Sequence, residues 1–154
     1  MIKIPLIKSS QILDVQFYTG TMNTKDLIDH SEAPLYEPGT NISKGYQRAP
    51  KDKRVYDIRD RVLNDPNSMD SFITSITLNI RVPEAVSYIK SNKTGHATFE
   101  FIDNLGPFYL VDGQTRMLGI KLARSEAFSK RLSKVVDAID NSRISITLSF
   151  TDDV

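Results

Sequence analysis

The sequence predicts an α+β fold in which a small mixed β-sheet is covered by helices. Residues 76–82 and 143–150 alternate apolar and polar side chains, which is the two-residue period of a half-buried strand. Residues 53–63 instead repeat apolar side chains at the spacing of an amphipathic helix. The 154 residues, 40% of them apolar and 25% charged, match one globular domain with a single core.

The N-terminal elements are predicted from composition and from end signals. Leu13–Thr19 has a β-rich composition, and Thr24 is a candidate cap for a short helix that reaches Ile28. Residues 31–45 hold two prolines, two glycines and no periodicity, which predicts a long loop. Loops of this length are usually functional or flexible.

The middle of the chain carries two helix signals. Asp52 is a candidate N-cap, and the helix over 53–63 stops before Asp65-Pro66. Its apolar stripe consists of Val55, Ile58 and Val62. Pro83 opens a further short helix that is predicted to reach about Lys90.

The C-terminal part predicts a hairpin, two helices and a last strand. Residues 97–102 and 108–111 are strand-like, and the turn-rich segment between them predicts a β-hairpin. Leu118–Ala123 has a helical composition, and Ser125 is a candidate cap for a second helix. The apolar residues of that second helix are Phe128, Leu132, Val135, Val136 and Ile139. The chain ends four residues after Phe150 with no helix to close the sheet, as expected of a fragment of a longer protein.

Positive charge is concentrated in two segments although the formal net charge is only +1. Residues 43–61 hold seven Lys or Arg against three Asp, and residues 113–136 hold six against one Glu. If the two segments meet in space, they form one face that attracts anions. If they do not, they are two separately solvated helices, and both interpretations are open at this point.

Composition excludes several classes of site. The absence of cysteine excludes disulfides, thiolate zinc sites, iron–sulfur clusters and thiol catalysis, and two histidines, His30 and His96, argue against a histidine-rich metal site. No apolar run approaches the roughly 18 residues that span a membrane, and the N-terminus lacks the apolar region of a signal peptide. A cytoplasmic protein without a metal site is therefore expected.

Residues 108–120 are the most informative stretch, because they combine a strand, a tight turn at Gly113 and a helix start. Such a turn points the first backbone N–H groups of the helix outward with the positive end of its dipole, which makes an anion site. Arg116 in the first helical turn opposes that dipole, so an anion between them would account for its position. The alternative is that Asp112 caps the helix, Gly113 relieves the turn and Arg116 faces water.

A second stretch, Gly45-Tyr46-Gln47-Arg48, leads from the long loop to the basic helix. Gln47 and Arg48 are candidate contacts to phosphate or to base edges. Taken alone, Arg48 is an ordinary solvated charge. If the loop brings both residues to the Gly113 turn, Arg48 and Arg116 neutralise one ligand from two sides.

Together these stretches resemble the DGQHR-domain family. The matching order is Gly-Tyr-Gln-Arg at 45–48, a basic helix, a strand after Ser75, a hairpin and Leu-Val-Asp-Gly-Gln-Thr-Arg-Met-Leu-Gly-Ile at 110–120. That family includes the DndB-like proteins of DNA phosphorothioation and related DNA-modification systems. More distantly the chain resembles the ParB N-terminal and sulfiredoxin-like superfamily, whose Gly-x-x-Arg turn binds nucleotide phosphates. The resemblance implies a ParB/sulfiredoxin-like domain over 45–154 behind an N-terminal extension of residues 1–44.

The resemblance also implies site residues. The phosphate-binding turn would be formed by Gly113, Gln114, Thr115 and Arg116, and the family's upstream Gln-Arg pair would correspond to Gln47 and Arg48. Thr115 stands where the family usually has His, which puts the role of that imidazole in doubt, although a Thr hydroxyl still donates to phosphate. The chain also stops before the C-terminal half that is typical of DndB-like proteins.

The leading hypothesis is a domain that binds and hydrolyses ATP or a related nucleotide, with Mg²⁺, in a DNA-modification, regulation or phage-defence system. The observation behind this hypothesis is the Gly113–Arg116 turn beside two basic segments. The system, and the partner proteins and DNA that it implies, come from the resemblance alone. Asp112 is the catalytic candidate in this site.

Two further hypotheses stay open. A non-catalytic regulator or scaffold would contact DNA through basic residues of the two segments, namely Arg54, Arg59, Arg61, Lys121, Arg124, Lys130, Arg131 and Lys134. A small-molecule kinase, such as the free-serine kinases that some ParB-like proteins resemble, would need a general base. Glu84, Glu100 and Asp112 are the nearest acidic candidates, and Asp112 suits a turn or helix cap better than a base.

Overall fold

One mixed β-sheet of eight strands and four α-helices make up the described part of the chain, which confirms the α+β prediction. The computed structural model describes residues 2–12, 14–32, 52–71, 75–81, 85, 89–91, 96–101 and 107–151. The strands are β1 (Ile2–Ile12), β2 (Val15–Asn23), β3 (Ser31–Glu32), β4 (Ile76–Ile80), β5 (Ile89–Ser91), β6 (His96–Phe101), β7 (Phe108–Asp112) and β8 (Arg143–Phe150). The helices are α1 (Thr24–His30), α2 (Asp52–Asn64), α3 (Gln114–Ser129) and α4 (Ser133–Asp140), with a 3₁₀ turn at Pro66–Ser71.

The strand order is β3-β7-β4-β8-β2-β1-β6-β5. β8 lies in the middle, parallel to β4 and antiparallel to β2, and its alternating Ile144, Ile146 and Leu148 are buried as the period-two pattern predicts. β3 pairs with β7 in parallel, and the remaining neighbours are antiparallel. The N-terminal strands β1 and β2 therefore belong to the same sheet as the rest of the chain.

The sheet curls strongly around one core. β7 and β6 are separated by four strands, so a flat sheet would hold them about 24 Å apart. Yet the rings of Phe108 on β7 and Phe99 on β6 lie 6.4 Å apart between centroids, and both side chains are fully buried. The two ends of the sheet thus meet over the same apolar interior.

Helix α2 confirms the amphipathic prediction over 53–63 and packs against α3. Val55 and Val62 are buried, and Asp52 is the first helical residue instead of the cap before it. The helices cross at Gly119, where a Cβ atom would lie 2.6 Å from Ile58 Cγ2. The described part of the first basic segment therefore meets the second one in space.

Helix α1 confirms the predicted short helix but begins one residue earlier, because its cap is Asn23 and not Thr24. The Asn23 side chain accepts hydrogen bonds from the backbone N–H groups of Lys25 at 3.0 Å and Asp26 at 3.4 Å. Thr24 is instead buried, and its hydroxyl bonds to Ser142 ahead of β8. Thr24 therefore ties α1 to the last strand.

Two predictions are wrong, one about a hairpin and one about the end of a helix. β6 and β7 do not form a hairpin, because β6 pairs with β1 and β5 whereas β7 pairs with β4 and β3. A turn-rich connector shows where the chain bends but not which strands pair. The helix predicted to reach Lys90 is also wrong at its end, because Ile89–Ser91 forms β5 against β6.

The predicted helix break at Ser125 is wrong as well. Ser125 lies inside α3, and the chain turns only at Lys130–Leu132, where Arg131 adopts the left-handed conformation with φ +57°. The apolar stripe that was predicted for one helix is thereby divided between two. Ile139 is buried, but Phe128 is 70% exposed.

Candidate phosphate site at the start of helix α3

The turn at Gly113 joins the end of β7 to the start of α3, as the sequence predicts. Thr77 and Leu78 on β4 face Asp112 and Leu110 on β7, so Val111 is an extra, bulged residue immediately before the turn. Asp112 is exposed, and its Oδ1 accepts a hydrogen bond from the Gly113 N–H at 2.9 Å. The strand thus delivers an irregular, solvent-facing corner at one end of the sheet.

Glycine is required at position 113 for two reasons. Its φ of +95° lies in the left-handed region, which side chains of L-residues rarely occupy. A Cβ atom there would also lie 3.0 Å from Cγ1 of the buried Ile76. Because Gly113 brings no side chain, the first turn of α3 has no side-chain cap, and its N–H groups point out of the helix end.

Arg116 is half-buried beside this helix end. Its Nη2 donates to the backbone carbonyl of Ser75 at 3.2 Å, and the Ser75 hydroxyl lies 2.8 Å from that of Thr147 on the central strand β8. Burial lowers the pKa of Arg116, and the negative charge of Asp112 acts in the opposite direction. The guanidinium is therefore anchored next to the turn and does not simply extend into water.

Five of the predicted site residues share this corner. They are Asp112, Gly113, Gln114, Thr115 and Arg116, and the side chains of Gln114 and Thr115 are half-buried. Gln47 and Arg48 lie outside the described residues, as does Glu84. Glu100 is on β6 and pairs with Lys3 at 3.9 Å and Lys90 at 3.6 Å, so it does not belong to the turn.

Several of the predicted DNA-contacting residues make contacts within the fold, and Arg59, Lys130, Arg124 and Lys121 have defined partners. On α2, the Arg59 guanidinium lies 4.7 Å from the centre of the Tyr56 ring and pairs with Asp60 at 2.9 Å and Glu126 at 3.7 Å. The hydrogen bond to Asp60 raises the pKa of Arg59. Lys130 pairs with the same Glu126 at 2.7 Å. The surface shared by α2 and α3 is thus mixed in charge.

Arg124 and Lys121 hold helix α3 in place. Arg124 forms a two-pronged pair with Asp140, with distances of 2.6 and 3.0 Å, and this hydrogen bonding raises its pKa. Lys121 is half-buried and donates to the Ser31 carbonyl at 3.4 Å. The exposed members of the predicted set are Arg54, Arg61, Lys130, Arg131 and Lys134.

A groove that the sequence did not reveal lies at the opposite end of α3. Its volume is about 800 Å³, and it is lined by Phe128, Leu132 and Val136 at the α3–α4 corner. It is separated from the Gly113 turn by the length of α3, about 24 Å. The helical spacing of these residues predicted a single apolar stripe, and only the position of the break turns them outward.

Two general properties complete the description of the site. Within the described ranges, His, Asp and Glu side chains nowhere gather in threes closely enough to hold a metal ion. Every helix in that part of the chain is too short or too polar to cross a bilayer.

Comparison of the chain with protein-family models, curated proteins and solved structures found no match.

Proposed function

We propose that the chain binds a nucleotide through its phosphates at the N-terminus of α3. The observation that carries this proposal is the uncapped helix end at Gly113 with the anchored, half-buried Arg116 beside it. Backbone N–H groups and a guanidinium are the donors that phosphate oxygens accept best. The bulge at Val111 and the left-handed glycine make the backbone of this corner irregular.

The resemblance to the DGQHR and ParB/sulfiredoxin-like proteins makes the proposal more specific. We propose ATP or a related nucleotide with Mg²⁺ as the ligand. The exposed carboxylate of Asp112 adjoins the turn, so a divalent cation between it and the phosphates would remove their repulsion. In this proposal Asp112 also orients the water that hydrolyses the nucleotide. A cytoplasmic role in DNA modification or defence, with DNA and other proteins of that system as partners, follows from the resemblance.

The test is a comparison of melting temperatures with and without nucleotide. Mg-ATP at about one hundred times its Kd adds roughly 2.7 kcal/mol to the free energy of unfolding. For a chain of this length that raises the melting temperature by about 5–10 °C. Arg116→Ala should remove most of this rise, and Thr115→Val should reduce it if the hydroxyl donates to phosphate.

Arg54→Ala is the matched control, because it removes the same charge from an exposed position on α2. It should leave the rise intact. Inorganic triphosphate should act like ATP and adenosine should not, since the proposed contacts are to phosphate. An unchanged melting temperature at millimolar Mg-ATP, or an equal loss in Arg54→Ala, would refute the proposed site. Release of phosphate from ATP, lost in Asp112→Asn, separates hydrolysis from binding.

One observation favours a second function, DNA binding without turnover. Helices α2 and α3 bring the two basic segments together, with Arg54 and Arg61 exposed on α2. DNA binding would be supported if the affinity for a short duplex falls steeply with salt. The double variant Arg54→Ala with Arg61→Ala should then reduce that affinity by half or more. No affinity at low salt would leave nucleotide binding as the sole proposal.

A further inference from the structure

The corner between α3 and α4 breaks two local rules of helix ends in consecutive residues. The backbone N–H groups of Lys130, Arg131 and Leu132 donate to the carbonyls of Glu126, Phe128 and Ala127, the bonding pattern that ends a helix with one left-handed residue. That residue is normally glycine, but here it is Arg131 with φ +57°. The next residue, Leu132, precedes α4 in the position that Ser, Thr, Asp or Asn usually occupies, and it makes no side-chain cap.

Packing within the fold does not offset the unfavourable position of either residue. Leu132 is 43% exposed, and the Arg131 side chain is exposed with no ion-pair partner among the described residues. A glycine and a serine would satisfy the same backbone better. Residue choices that break local rules without a folding benefit are expected where a surface serves binding.

An apolar groove lies directly at these two residues. Phe128, Leu132 and Val136 line a space of about 800 Å³, and Phe128 is 70% exposed. A contiguous exposed apolar surface of this kind on a helix pair is the usual recognition site for an amphipathic segment. The stripe at helical spacing thus faces solvent where a core position was expected.

The charges at the rim indicate the chemistry of the partner. Arg131 lines the groove, and Lys134 directly follows the lining residue Ser133 on α4. Both are exposed cations without an ionic partner in the described part of the chain, whereas Lys130 is held by Glu126. Asp137 is the acidic residue that lines the groove. The rim therefore has an excess of positive charge, which complements carboxylates and disfavours a second copy of the same surface.

We propose that the α3–α4 corner docks an acidic amphipathic segment of a partner protein. A large apolar side chain of that segment fills the groove between Phe128, Leu132 and Val136, and flanking carboxylates pair with Arg131 and Lys134. DNA fits less well, because a phosphate backbone gains nothing from an exposed phenylalanine and leucine. The groove is a helix length away from the Gly113 turn, so this proposal stands independently of nucleotide binding.

The test uses fluorescein-labelled peptides of about 16 residues and the full chain. The first peptide carries Leu and Phe at helical spacing with Glu elsewhere, the second has Lys in place of every Glu, and the third has the composition of the first in scrambled order. Fluorescence anisotropy should show saturable binding of the first peptide, with affinities for the other two weaker by about tenfold or more. Phe128→Ser should weaken binding of the first peptide by about tenfold.

Two variants separate loss of docking from loss of folding. Arg131→Gly and Leu132→Ser each restore the residue type that the helix ends prefer, so both should raise the melting temperature while weakening peptide binding. Leu118→Ser is the matched control, since Leu118 is 39% exposed on α3 but outside the groove. It should bind the peptide like the unmodified chain.

Several results would overturn the proposal. They are no binding of the acidic peptide, equal binding of the basic one, or binding that Phe128→Ser leaves unchanged. Binding of a DNA duplex that requires Phe128 would assign the corner to nucleic acid. A dimer in analytical ultracentrifugation that Phe128→Ser dissolves would assign it to a second copy of the chain.

Discussion

Lys121 on α3 has a half-buried ammonium group. It donates to the Ser31 carbonyl at 3.4 Å on the edge strand β3. Burial lowers its pKa below the ordinary value of 10.5, and the nearby Glu32 acts in the opposite direction. The folded chain therefore binds this proton less tightly than the unfolded chain does, so the charged form of Lys121 opposes folding.

Lys121→Met should raise the free energy of unfolding at pH 7. Below the folded pKa, the unmodified chain bears the full penalty of the half-buried charge. As the pH rises from that value to 10.5, the native lysine loses its proton first and the unmodified chain gains stability. The advantage of Lys121→Met should therefore shrink across this alkaline window, which urea unfolding at pH 7 and at pH 10.5 will measure.

Lys134→Met is the control, because it removes one positive charge from an exposed position on α4. It separates the local effect of burial from the change in net charge. A lower stability of Lys121→Met at pH 7 would mean that the bond to Ser31 outweighs burial.

Single residues of the candidate site differ in how far the sequence reveals them. Gly113 is predictable, because a strand followed by Asp-Gly and a helical pattern leaves few other conformations for the turn. The anchoring of Arg116 is not, because its carbonyl acceptor at Ser75 is 41 residues away. Contacts over such separations depend on which strands pair, and local sequence patterns do not predict strand pairing.

At the scale of elements, the crossing of α2 and α3 depends on the small size of Gly119. A Cβ atom at this position would lie 2.6 Å from Ile58 Cγ2 and 2.9 Å from the Val55 carbonyl oxygen. Helices pack this closely only where a residue without a side chain faces the partner. The contact sets where α2 lies along α3, and with it the position of the α2 basic residues.

Gly119→Ala should lower the free energy of unfolding by about 1–3 kcal/mol. In an ordinary helix interior the same change gains about 1 kcal/mol. The sign therefore tests the close crossing, and urea denaturation followed by circular dichroism measures it. Ser125→Ala on the exposed side of α3 is the control and should be neutral or slightly stabilising.

A double variant tests the identity of the contact. In an Ile58→Ala background, Gly119→Ala should cost less than in the unmodified chain, because most of the clashing atoms are gone. Equal costs in both backgrounds would mean that the helices separate at another contact.

Elements with strong periodicity were predictable and their pairing was not. α2, β4 and β8 follow their apolar patterns closely. β1 is not predicted, because it contains Pro5 and proline is disfavoured inside a sheet. Because β1 was not predicted, the sequence offered no sign that β6 pairs with it. A hairpin between β6 and β7 was then the simplest local interpretation.

At the scale of the whole molecule, buried aromatic rings close the curled sheet. Phe99 on β6 is fully buried, 6.4 Å from the Phe108 ring and 5.3 Å from the Phe150 ring. These three residues come from β6, β7 and β8, and in the strand order β6 is separated from β8 by two strands and from β7 by four. Their contact makes the two ends of the sheet one cooperative core.

Phe99→Ala should lower the free energy of unfolding by about 3–5 kcal/mol. Phe128→Ala is the matched control, since the same truncation at a 70% exposed site should change it by about 0.5 kcal/mol or less. Urea unfolding monitored by far-ultraviolet circular dichroism measures both. Similar losses at the two positions would contradict a curled sheet around Phe99 and a solvent-facing α3–α4 corner.

The central place of β8 has a consequence for the order of events during synthesis. β4, the inner strand of one side, and β2, the inner strand of the other, meet only through β8, which is the last strand described. While residues 143–150 are still inside the ribosome, no other described strand joins the group β2-β1-β6-β5 to the group β3-β7-β4. The sheet can close only after those residues emerge, so a nascent chain exposes two unpaired inner edges until then.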